Sequence, residues 1–166
     1  MKKAYAKALR RLGRRDHSVD EMRRALRRAG FETEDVEAAL ARLGSEGYLD
    51  DAKFAKGFAS SRMTHRGHGR QRIRQALFVR GIDKEVAEGG LREALTEVSE
   101  EEILDRLARS YWNRKQRLEP RRRLASLRAF LFRRGFPGDV VTPRLRQLWS
   151  EWRADEPIPD LDQEIA

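Results

Sequence analysis

The sequence predicts an all-α protein of three tandem three-helix repeats drawn out into an elongated, curved array. Three observations predict this. No segment alternates apolar and polar residues at period two, so no sheet is expected. About nine segments instead repeat their apolar residues at helical spacing, most of them with a capping residue before them or a glycine after them. Finally, a helix-end pattern recurs as ALRRAGF (25–31), ALFVRGI (76–82) and FLFRRGF (130–136), a period of about fifty residues that signals stacked repeats.

Residues 3–13 predict a short helix with Tyr5, Ala8, Leu9 and Leu12 on one face. Ser18 and Glu21 have the spacing of a capping box, in which each side chain reaches the other's backbone N–H. The helix they open buries Met22, Ala25, Leu26 and Ala29 and stops at Gly30-Phe31. Thr33 caps a third helix carrying Val36, Ala39, Leu40 and Leu43, closed between Gly44 and Gly47. Asp50 and Asp51 then place oxygens and negative charge over the free N–H groups of a fourth helix, whose buried face is Phe54, Ala55, Phe58 and Ala59. Arg66-Gly67-His68-Gly69-Arg70 interrupts the pattern, because paired glycines favour a turn. From Arg70 the period resumes with Ile73, Ala76 and Leu77 on one side, and Gly81-Ile82 reads as a glycine stop with an apolar plug.

Asp83 caps the next helix, which carries Val86, Leu91 and Leu95 and is weakened by Gly89-Gly90, each glycine costing about 1 kcal/mol against alanine. Ser99 and Glu102 supply a second capping box for a helix with Ile103, Leu104, Leu107, Ala108 and Tyr111, expected to reach about Arg117. Pro120 suits a first helical position and leads into Leu124, Leu127, Phe130 and Leu131. The last helix is expected from Asp139, or from Pro143 with Thr142 as its cap, and buries Leu145, Leu148 and Trp149 or Trp152. These elements divide the chain into repeats at 1–50, 51–98 and 99–153, followed at 154–166 by an acidic, proline-containing tail expected to be disordered.

Superimposing the three glycine stops aligns Leu26 with Leu77 and Leu131, Gly30 with Gly81 and Gly135, and Phe31 with Ile82 and Phe136. Three residues before each leucine stands an arginine: Arg23, Arg74 and Arg128. Val36, Val86 and Val140 follow in the next helices, with one extra residue in the first copy.

Of 166 residues 38% are charged and 39% hydrophobic, enough for a lean core. No stretch approaches the ~20 apolar residues that span a bilayer, and the MKKAYAKALRRLGRR start has no apolar run of secretory type, so neither a membrane span nor a signal peptide is expected. Cysteine is absent, which removes thiol chemistry and fits a reducing, cytoplasmic setting. The net charge of +9 understates the local field: residues 153–166 carry a net −4, leaving +13 on residues 1–152. Such a surplus favours a polyanionic partner, a nucleic acid or an acidic protein groove. Arg62, Arg66, Arg70, Arg72 and Arg74 form the main expected patch, extended by Arg23, Arg24, Arg27 and Arg28 and by Arg121, Arg122, Arg123 and Arg128.

Catalysis needs a nucleophile or metal with convergent partners, and the sequence offers none. His65 and His68 straddle a turn edge among basic neighbours, so no metal and no cofactor is expected. Gly67-His68-Gly69 lacks the spacing of a nucleotide-binding loop, although its backbone N–H groups are a candidate phosphate contact. Trp112, among Arg109, Arg114, Lys115 and Arg117, is either a core residue or a platform for a base.

Several stretches together carry a family resemblance: GYLDDAKFA (47–55), SRMTHRGHGRQRIRQAL (61–77), the RGI stop (80–82), and HSVDEMRRALRRAGF (17–31) followed by VEAALARLGSEGYLDD. The chain resembles the RecX family of RecA regulators over about residues 4–152. The resemblance implies a bacterial, non-enzymatic modulator that binds RecA filaments on single-stranded DNA and restrains their growth, ATP hydrolysis and strand exchange in recombination, DNA repair and the SOS response. Its motif residues fall here on Tyr48, Leu49, Asp50, Asp51, Phe54 and Ala55, and on Arg62, Arg66, Gly67, Gly69, Arg72 and Ile73. Tyr48 and Leu49 read as packing between helices, and Asp50 and Asp51 as caps or arginine partners. The expected partners are the RecA filament and single-stranded DNA, with double-stranded DNA as a further ligand, and the expected state is a monomer. A general DNA-binding protein without a RecA contact is the alternative. An adaptor of RNA–protein assemblies is less favoured, because aromatic platforms for single-stranded RNA are not evident.

Overall fold

The computed structural model describes residues 2–161, and among them it holds nine α-helices and no strand. These are α1 (Lys2–Leu12), α2 (Val19–Arg28), α3 (Thr33–Ser45), α4 (Asp51–Arg66), α5 (Arg70–Val79), α6 (Lys84–Glu97), α7 (Glu100–Arg114), α8 (Pro120–Arg133) and α9 (Gly138–Trp152). They cluster into two compact units, Met1–Ala59 with Arg74–Ala94, and Ser60–Ile73 with Leu95–Ala166. The units do not follow the repeats: α4 begins in the first and ends in the second, and α5 does the reverse.

In the first unit α1, α2 and α3 pack on one another. Their core holds Ala8, Met22, Leu26, Val36, Leu40, Leu43 and Leu49, with Tyr5, Leu9, Leu12, Val19 and Phe31 partly buried against it. Burying one such large apolar side chain contributes about 1.5–3 kcal/mol. The Gly89-Gly90 pair, expected to weaken α6, has a packing use: a Cβ on Gly90 would lie 2.6 Å from the Ala55 Cβ, so glycine lets α6 close on α4. In the second unit α7, α8 and α9 pack together, with Leu104, Leu124, Leu127, Leu131, Phe136, Leu145, Leu148 and Trp149 fully buried. Trp112 is a core residue and not a platform for a base. It stacks on Trp152 at 4.4 Å, meets Trp149 edge-on at 6.2 Å, and carries the Arg123 guanidinium 4.4 Å over its ring.

The three glycine stops are the same structure. Gly30, Gly81 and Gly135 have φ of 83°, 73° and 87°, a left-handed conformation that favours glycine. In each, the following residue reaches back to the aligned leucine: Phe31 N donates to Leu26 O at 3.3 Å, Ile82 N to Leu77 O at 3.1 Å, and Phe136 N to Leu131 O at 3.2 Å.

The repeats are joined by caps handed from one to the next. Asp51, the first residue of α4, accepts from Val19 N at the start of α2 (2.9 Å). Glu100, the first residue of α7, accepts from Arg70 N at the start of α5 (2.8 Å). Helix α8 is instead capped by its own Glu119, which accepts from Arg121 N and Arg122 N at 3.0 Å each. A second joint runs the other way: Ser18 Oγ donates to Arg80 O (2.6 Å), and at the aligned position Gly69 N donates to Arg134 O (2.8 Å).

Several local expectations are corrected. Ser18 and Ser99 do cap α2 and α7, but Thr33 is the first residue of α3, whose cap Glu32 makes no side-chain bond. Helix α7 ends at Arg114, and α9 starts at Gly138 and carries Pro143 inside it. Ala29, expected in the core, is exposed. The tail expected to be disordered from residue 154 is placed as far as Leu161: Trp149 Nε1 donates to Glu156 O at 3.4 Å, and Leu161 is buried. Residues 162–166 lie outside the described residues.

Candidate protein and nucleic-acid interface

The turn between α4 and α5 is the best-formed basic site of the second unit. Its three N–H groups, expected to be free for a phosphate, are all used internally: Gly67 N donates to Met63 O, His68 N to Arg62 O and Gly69 N to Arg134 O, at 3.1, 3.1 and 2.8 Å. A Cβ on Gly69 would run into the backbone of Gly135 and Phe136, and Gly67, at φ 60°, faces Leu107. Close packing at both positions leaves no room for a side chain. Burial, followed by the charges of Arg72, Arg134, Arg62 and Arg66, lowers the His68 pKa to about 4. His68 is thus neutral at pH 7, surrounded by cations. Among the described residues no group of three His, Asp or Glu side chains is placed to hold a metal.

The five-arginine patch divides. Arg62, Arg66, Arg70 and Arg72 belong to the second unit and Arg74 to the first. Arg66 is exposed, and its side chain forms no ion pair among the described residues. Arg72 is exposed and donates from Nη1 to Arg133 O at 3.0 Å. Arg62 is half-buried. Arg70 is committed within the fold: Nη2 donates to Asp139 Oδ2 at 2.5 Å and Nη1 lies 3.7 Å from the buried Glu100. Arg74 grips Glu88 with two nitrogens. On the first repeat, Arg23 grips Glu37 in the same way, at 2.8 and 3.2 Å, and the Arg27 guanidinium lies 3.7 Å from Glu37. Arg24 pairs with Asp20 at 2.7 Å and donates to Val79 O at 3.1 Å. Arg128 rests over the Phe132 ring at 4.9 Å.

A site missed by sequence reasoning lies in the first unit. Arg11, Arg15, Arg24, Arg28 and Arg80 line a cavity of about 270 Å³, with His17, Ala25 and Val79 and a single carboxylate, Glu21. Burial works to raise the Glu21 carboxyl, but the hydrogen bond and charge of Arg15 and the charge of Arg80 outweigh it and hold it below the usual range. Burial, then the charge of Arg15, lowers His17. Arg28, on the same cavity, is exposed. The signal was present as arginine pairs four residues apart, Arg11 with Arg15 and Arg24 with Arg28, but Arg80 joins them only through the fold.

The motif residues have mixed roles. Asp50 caps α4 through Ala52 N and Lys53 N, both at 3.0 Å, whereas Asp51 caps α2. Leu49 is buried as expected; Tyr48 is 56% exposed and is not a packing residue. Phe54 stacks on Phe58 at 5.8 Å, and both are half-buried.

These features define an all-α tandem-repeat protein with arginine-lined surfaces, in which no helix among the described residues is long and apolar enough to cross a membrane. Three family models match in order: the first three-helix domain of RecX on residues 4–43, the second on 50–91 and the third on 99–142. The regulatory protein RecX of Deinococcus radiodurans is 34% identical over 151 residues, covering 91% of this chain and 71% of that protein. The regulatory protein RecX of Amycolatopsis mediterranei is 32% identical over 146 residues, covering 88% and 83%. The crystal structure of RecX from Lactobacillus salivarius superposes with a TM-score of 0.78 at 22% identity, over 89% of this chain and 95% of that one. The chain belongs to the RecX family of regulatory proteins.

Proposed function

We propose that this chain regulates the RecA recombinase without catalysing a reaction, by binding the filament that RecA forms on single-stranded DNA and restraining its growth, ATP hydrolysis and strand exchange. It acts as a cytoplasmic monomer in which the repeats 1–50, 51–98 and 99–153 engage neighbouring filament protomers and the DNA between them. Family membership supports the regulatory role, and one observation carries the anion-binding part: five arginines line a cavity that holds a single carboxylate, Glu21. Arginine suits such a surface because its planar fork grips phosphate and carboxylate alike.

The test is RecA-catalysed ATP hydrolysis on single-stranded DNA against rising amounts of this chain, at two salt concentrations and with DNA in excess. Inhibition that persists in excess DNA makes the filament the target. Inhibition that disappears there, with affinity falling steeply in salt, leaves only competition for phosphates. Arg28→Glu combined with Arg66→Glu should weaken inhibition while leaving the thermal midpoint unchanged, because both side chains are exposed. Arg70→Glu is the wrong probe: it sets a third carboxylate against Glu100 and Asp139 and should lower the midpoint.

A further inference from the structure

The first two repeats share one ion pair, of which the third repeat carries only the arginine. Arg23 and Arg74 occupy the same place on helices α2 and α5. Each grips, through Nε and Nη2, a glutamate fourteen residues ahead, Glu37 and Glu88. The arginine hydrogen bonds hold both carboxyls below their usual range. The aligned arginine on α8 is Arg128, and fourteen residues ahead stands Thr142. A threonine hydroxyl is too short and has too few acceptors to copy a bidentate carboxylate. Arg128 Nε is accordingly buried with no hydrogen-bond partner, and its guanidinium lies 4.9 Å from the Phe132 ring centre. Phe132 is itself a large apolar side chain left 37% exposed.

A buried donor without an acceptor is costly, and an arginine beside an exposed aromatic is the composition of a binding hot spot. We propose that Arg128 and Phe132 form a docking site for an acidic side chain of the partner protein, whose carboxylate takes the place that Glu37 and Glu88 hold in the first two repeats. The choice of a protein carboxylate over a DNA phosphate follows from those two pairs: the same arginine position, in the same helical setting, takes a carboxylate wherever this chain supplies one. The inference rests on the RecA-filament reading above and adds to it the chemistry recognised by the third repeat.

Thr142→Glu tests it by restoring the missing carboxylate inside the chain. The variant should fill the site, raise the thermal midpoint by about 2 °C, and raise the concentration needed to inhibit RecA by about thirtyfold or more, the lower end for losing one side of a buried charge pair. Gln147→Glu on the same helix adds the same charge away from Arg128 and should leave inhibition unchanged. Arg128→Lys keeps the charge but loses the fork and should weaken inhibition as Thr142→Glu does. Binding to DNA without RecA should be the same for Thr142→Glu and Gln147→Glu. Full inhibition by Thr142→Glu, with wild type active, overturns this inference alone. Equal losses in the two glutamate variants, or a loss that follows affinity for DNA alone, assign the site to phosphate and overturn it too. A wild-type chain that does not bind the filament overturns the RecA reading and this inference with it.

Discussion

Replacing the three glycine stops one at a time by alanine separates backbone strain from packing within a single motif. All three sit at left-handed φ, so each alanine pays the same conformational cost of about 1 kcal/mol, the lower end for a non-glycine residue there. The surroundings differ. A Cβ on Gly30 meets nothing within 4 Å. On Gly81 it would crowd the Asp20 carboxylate, which a rotamer change relieves, and would lie 2.5 Å from the Asp20 Cβ, which rotation leaves in place. On Gly135 it would lie 2.5 Å from the Arg72 backbone N, where only a backbone shift makes room. Overpacking of this kind adds about 1–3 kcal/mol. The expected losses are therefore about 1 kcal/mol for Gly30→Ala, more for Gly81→Ala, and about 2–4 kcal/mol for Gly135→Ala, measured as urea midpoints at constant m-value. Equal losses at all three positions would refute the reasoning, because they would mean that the stops in repeats two and three do not press on the preceding repeat.

Two further outcomes are expected. Asp51→Ala should lower stability by about 1 kcal/mol through loss of the α2 cap, whereas Asp51→Asn should cost much less, because the amide oxygen still accepts from Val19 N and burial already disfavours the charged carboxylate; equal costs in urea titrations would show that charge and not the hydrogen bond matters. His68 binds its proton at a pKa of about 4 in the fold and about 6.5 when unfolded, so between these values the unfolded chain holds more protons and stability falls as the pH drops from 6.5 towards 4. His68→Gln should flatten that part of the curve relative to wild type; an unchanged slope would remove His68 from the pH response.

The helices were legible because their signals are local. Capping serines, glycine stops and apolar spacing act within a few residues of chain, and the 25–31, 76–82 and 130–136 stops carry the repeat. What escaped were partnerships across repeats. Asp51 and Glu100 look like caps of their own helices, and only the fold shows each reaching the start of another. Arginine roles were the least legible, since exposure and pairing depend on distant carboxylates: Arg70 and Arg74 look like Arg66 in sequence, yet the first two are locked to acids and Arg66 is exposed. The Glu21 cavity needed residues 11–28 and residue 80 together, a juxtaposition that no periodicity encodes.

The handing-on of caps also gives the chain a reading direction. A version cut back after residue 98 would strand the first N–H of α5, because Glu100 would be gone. A version lacking residues 1–50 would keep Glu100 for α5 and Glu119 for α8 but lose Asp50, which caps α4. Either cut therefore leaves one helix start without its cap. Helix α8, by contrast, closes itself, so its first turn leans on no residue outside its own repeat.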